Sequence, residues 1–90
     1  MSMVKKRVGE KFQIGFRYTS DRMDLGETVS TCVISQSPSG LTEVGSPIIS
    51  DNLVTQIVSG GVAGTEYYVT FTTTLSDGSI YKDDIVVMVV

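Results

Sequence analysis

The 90-residue sequence contains no histidine, no tryptophan and one cysteine, Cys32. Without histidine, neither a Ser-His-Asp triad nor a Cys-His pair can be assembled, and the usual zinc ligand sets go with them. A single cysteine excludes an intrachain disulfide, so packing alone must hold the fold, as suits a reducing cytoplasm. Within its β-branched run, Cys32 reads as a small buried hydrophobe rather than a reactive thiol. Charge is modest, seven basic against ten acidic side chains for a formal −3. That balance lacks the basic face of a nucleic-acid binder. No apolar run approaches the roughly 18–20 residues that a membrane-spanning helix needs. The opening MSMVKKRVGEK is basic but has no apolar signal-peptide core. Synthesis in the cytoplasm, with neither nucleic acid nor membrane as partner, is the expectation.

Segments with the three-to-four-residue apolar spacing of a helix are also lacking. What recurs instead is alternation. Tyr67, Val69 and Phe71 fall on one side of a run, and Tyr68, Thr70, Thr72 and Thr74 on the other. Period two with β-branched and aromatic residues throughout predicts a strand. Asp77-Gly78 follows as a two-residue type I′ turn, because both of its central positions require positive φ. The chain then returns from Ile80 as a last strand. Upstream, Phe12, Ile14, Phe16 and Tyr18 alternate with Gln13, Gly15 and Arg17 as a half-buried strand. Thr28–Gln36 is a further strand whose imperfect alternation leaves its core face open. Leu41–Ser50 is a weak one, confined to an edge or bend by Pro47, and Leu53–Val58 is another. Six or seven strands at near-regular spacing indicate a sandwich or barrel. The length fits one domain, with residues 1–10 as an N-terminal arm and 11–90 as the β domain.

Two features point outward. The arm clusters Lys5, Lys6 and Arg7, as a solvated tail or as a partner surface. Residues 85–90, IVVMVV, are apolar on both faces, which implies burial on both. With few residues to cover them internally, a neighbouring chain is the expected cover. Val86, Met88 and Val90 therefore join the three basic residues as candidate interface.

The chemistry-bearing residues form no credible constellation. Asp21, Asp24 and Glu27 share a loop, but without the spacing of a calcium loop. Asp83 and Asp84, adjacent on a strand, point to opposite faces and make a poor catalytic pair. Gly60, Gly61 and Gly64 precede a strand, whereas a phosphate-cradling loop precedes a helix. They read as a backbone corner. Tyr67 sits where immunoglobulin-like domains place a tyrosine that fills the core and bonds back to the backbone. No cofactor and no enzymatic activity are expected.

The run Ser59-Gly60-Gly61-Val62-Ala63-Gly64-Thr65-Glu66-Tyr67-Tyr68-Val69-Thr70, followed by Ser76-Asp77-Gly78, resembles short immunoglobulin-like virion structural proteins of tailed bacteriophages. Leu25-Gly26-Glu27-Thr28-Val29 is similar to that family's lead into its second main strand, and Leu41-Thr42 with Ser46-Pro47 to its middle strand. The resemblance covers roughly residues 10–90. Gln56, at an inward apolar place, and the basic arm depart from it. It implies an all-β, immunoglobulin-like or fibronectin-III-like sandwich of six to seven antiparallel strands. It also implies a non-enzymatic protein of the virion that works in an assembly or as a homo-oligomer. Capsid decoration or cementing, with the major capsid protein as partner, is the leading expectation. A neck or tail accessory protein is the alternative, as is a carbohydrate- or host-surface-binding module.

Overall fold

The computed structural model describes residues 2–18, 28–50 and 52–90. Seven strands run in order: β1 (Ser2–Lys6), β2 (Phe12–Arg17), β3 (Val29–Ser37), β4 (Leu41–Ser50), β5 (Leu53–Gly60), β6 (Glu66–Leu75) and β7 (Ile80–Val89). They form a four-stranded sheet ordered β1-β7-β6-β3 and a three-stranded sheet ordered β2-β5-β4. Every pairing is antiparallel except β1 with β7, which is parallel.

Alternation in β6 builds the core. Tyr67, Val69, Phe71, Thr73 and Leu75 are buried, while Tyr68 and the intervening threonines face outward. Ile85, Val87 and Val89 of β7 join them, and Ile14, Val54 and Val58 come from the other sheet. Each such side chain removed from water contributes about 1.5–3 kcal/mol before conformational entropy is charged against it. The Phe16 ring meets Phe71 edge-on across the sheets, with centroids 5.2 Å apart.

Three local irregularities explain what alternation alone left open. The pairing of β3 with β6 shifts between Val29 and Thr31, so a bulge falls at Ser30. Val29 therefore faces inward on one phase and Cys32, Ile34 and Gln36 on the other. On β4 the register with β5 breaks between Val44 and Ile48, around Pro47. Gln56, buried on β5, answers that break: its Nε2 donates to the carbonyls of Val44 (3.3 Å), Gly45 (3.2 Å) and Ile57 (3.0 Å). The polar residue at an inward place thus donates to carbonyls beside the interruption in the ladder.

The third irregularity is the β6–β7 connection. Gly78 N donates to Leu75 O at 3.0 Å and Leu75 N to Ser79 O at 2.8 Å. The loop is therefore Ser76-Asp77-Gly78, with Ser76 and Asp77 central to the turn and Gly78 left-handed at φ +92°. This replaces the two-residue Asp77-Gly78 turn expected from the sequence. The Asp77 side chain accepts from Ser79 N at 2.8 Å and holds the loop closed. Gly78→Val should cost about 1–2 kcal/mol, because β-branched residues resist positive φ. A thermal melt of that variant checks it, and an unchanged midpoint would contradict the assignment.

The N-terminus departs most from expectation. The sequence set residues 1–10 apart as an arm, whereas Ser2–Lys6 form a strand of the larger sheet. The cause is β7: its apolar outer side needs covering, and β1 fills the edge it would otherwise expose. Met3 and Tyr68 flank Val86 in register on that side, and Val86 is only 1% exposed.

Candidate functional site

The glycine corner is the first candidate site. Gly60, Gly61 and Gly64 all have positive φ, at +69°, +98° and +86°. A Cβ on Gly61 would come within 2.8 Å of Val89 Cγ2 and 3.4 Å of the Tyr67 ring. Two of the corner's amides are engaged within the chain: Val62 N donates to Tyr67 Oη at 2.9 Å and Gly64 N to Val89 O at 2.7 Å. The corner leads into β6, a strand. Followed by a strand and not by a helix N-terminus, the corner holds Tyr67 and the end of β7 in place and lacks the geometry of a phosphate-cradling loop.

The carboxylates of β7 are the second. Asp84 faces outward and accepts from Thr70 Oγ1 at 2.7 Å. Asp83 faces inward, where its Oδ2 accepts from the Tyr18 hydroxyl at 2.9 Å. That hydroxyl also lies 2.9 Å from Thr73 Oγ1, which in turn is 3.5 Å from Cys32 Sγ. Tyr18 ends the inward row begun by Phe12, so its burial was legible, but its pairing with Asp83, 65 residues away, carried no local signal. The cluster ties one sheet to the other. Burial pushes the Cys32 thiol up, against the opposing pull of Thr73, so Cys32 is a poor nucleophile. Among the described residues no group of histidine, cysteine and carboxylate side chains could hold a metal. Asp21, Asp24 and Glu27 lie outside the described residues.

The third candidate is the outer face of the four-stranded sheet. Register sets its side chains in rows: Lys5, Met88 and Glu66 in one, and Met3, Val86, Tyr68 and Ser37 in the next. Met3 is 58% and Tyr68 43% exposed, so this end presents an apolar patch flanked by one basic and one acidic residue. Of the six residues expected to form an interface, Lys5, Met88 and Val90 remain at least partly accessible at this end, with Arg7 exposed in the turn beyond. Two do not fit. Val86 is covered within the chain, and Lys6 is fully buried on the inner face, its Nζ donating to Arg7 O at 3.1 Å. Met3 and Tyr68, which the sequence reading did not include, flank Val86 on this face through the β1–β7 and β6–β7 pairings.

Residues 6–88, which span both sheets, match the model of a family described as "Podophage GP4 fiber-tail adaptor protein gp77". No curated protein matches the chain. The match agrees with the expectation of a small virion structural protein. It lends nothing to capsid decoration or to the major capsid protein as partner, and it favours the tail alternative.

Proposed function

The chain belongs to the podophage GP4 fiber-tail adaptor protein gp77 family and is a structural component of the virion; from that premise we propose that it works at the tail. There it is a non-enzymatic adaptor that joins fibre to tail through protein–protein contact. The family match across residues 6–88 carries this reading. The outer sheet face with Met3, Tyr68 and Met88 supports it, because an aromatic and two methionines rimmed by Lys5 and Glu66 have the composition of a protein-contact patch. Among the described residues, the Tyr18 hydroxyl is hydrogen-bonded to Thr73 and Asp83 between the sheets. A glycan-binding role gains no observation, since tryptophan is absent and Tyr68 is the one exposed aromatic among the described residues.

We further infer that the sandwich is immunoglobulin-like. The parallel pairing of the first strand with the last, the 4 + 3 division of strands and the backbone-bonded Tyr67 after the corner support that reading.

The experiment is a phage deleted for this protein, imaged by electron microscopy. Filled heads bearing tails with few or no fibres are expected, with fibres restored by the wild-type chain supplied in trans. A full fibre complement on the deleted particles would refute the proposal.

A further inference from the structure

Four strands border the two sheets: β1 and β3 in the larger, β2 and β4 in the smaller. An open edge presents unpaired backbone donors and acceptors, and proteins that must stay apart block such edges with charge, proline or a bulge. Three of the four edges are blocked in this way. β1 carries Lys5 and Lys6 within five residues. β2 ends in Arg17 and follows directly on Lys11. β4 holds Glu43, Pro47 and the register break between Val44 and Ile48.

β3 differs. Its nine residues, VSTCVISQS, include no charged residue and no proline. Its one bulge lies at the start, and Thr31–Ser37 pair with β6 in unbroken register. Among the described residues no strand pairs with its other side. Thr31, Val33, Ser35 and Ser37 are exposed on the outer face, Val33 at 64%, while Cys32 and Ile34 on the inner face are only half-buried. The neighbouring outer row on β6, Thr70, Thr72 and Thr74, is uncharged as well.

We propose that β3 is an edge for strand addition, and that its occupant is β3 of a second copy of this chain. The pairing is antiparallel about a two-fold axis and makes one continuous eight-stranded sheet. Charge selects this occupant. A strand that pairs with its own copy about a two-fold axis brings any charge near that axis close to its own copy, and β3 alone of the four edges carries no charge at any position. The same pairing lays the half-covered Ile34 of one chain beside that of the other. The inference does not depend on where in the virion the protein sits.

When Thr31–Ser37 overlap fully, the two Val33 side chains fall diagonally across the new pair, about 7–8 Å apart and within reach of long side chains. The test is sedimentation of the purified full chain and of Val33→Lys and Val33→Glu. Ser35→Lys, one step along the same face, serves as a second variant, and melting curves confirm that each is folded. Wild type should sediment as a dimer. Each charged variant should be monomeric where wild type is paired, with dissociation raised about tenfold or more, the equivalent of roughly 1.4 kcal/mol. An equimolar mixture of Val33→Lys and Val33→Glu should recover dimers. A wild type that stays monomeric at about 100 μM, where a dimer with a Kd of about 10 μM or tighter is mostly paired, overturns the proposal. So do dimers that survive Val33→Lys, and a mixture that fails to pair.

Discussion

Tyr67→Ala is expected to destabilise the protein by about 3–5 kcal/mol, the cost of deleting a large buried aromatic and leaving a cavity. Tyr67 is among the largest fully buried side chains, and its ring stands against Gly61 where the corner meets β7. A domain of this size holds roughly 5–13 kcal/mol in total, so the loss would consume much of it. Tyr67→Phe separates the two contributions. It keeps the ring and removes the acceptor of Val62 N, and should cost about 1 kcal/mol. Tyr68→Ala, on the outer face of the same strand, should cost under about 1 kcal/mol, as surface changes usually do. Urea titrations of the three variants give the ranking. Greater sensitivity at Tyr68 than at Tyr67 would mean that the strand's faces are reversed.

Gly15→Ala is expected to cost about 2–3 kcal/mol, in the upper range for an added methyl with nowhere to go. A Cβ at Gly15 would run into the carbonyl oxygen of Val54 and lie 2.9 Å from Thr55 Cγ2. Gly15 does not need the left-handed region, so the obstacle is space: β2 and β5 approach too closely for any side chain there. Because the main obstruction is backbone, Thr55→Ala should not rescue the variant. The same titration checks both, and a Gly15→Ala protein as stable as wild type would show that the strands stand further apart.

How much of this was legible depended on whether the signal was local. The alternation of Tyr67, Val69 and Phe71 states which face is core, because these inward residues are large and apolar while threonines fill most of the outward places. On β3 the bulge at Ser30, next to the strand's start, sets Val29 out of phase with the rest, so its core face could not be read from spacing. β1 was hidden because five residues with two lysines look like a solvated tail, and its pairing joins positions over 80 residues apart. That one omission made β7 look like an exposed strand and put Val86 and Lys6 on the surface. Gln56 was visible as a departure, but the carbonyls it serves belong to a tertiary break in β4. The residues carrying the phage-virion resemblance are those that build the corner and hairpin. They serve the fold, which explains why they led to the particle and not to a place on it.

Placement of this virion protein at the tail is open to direct measurement. Its most direct test is to disrupt purified particles, separate heads from tails with their fibres, and quantify the chain in each fraction by mass spectrometry. The chain should travel with the tail–fibre fraction and be depleted from heads. Recovery with the heads, in numbers that follow the capsid subunits, would contradict it.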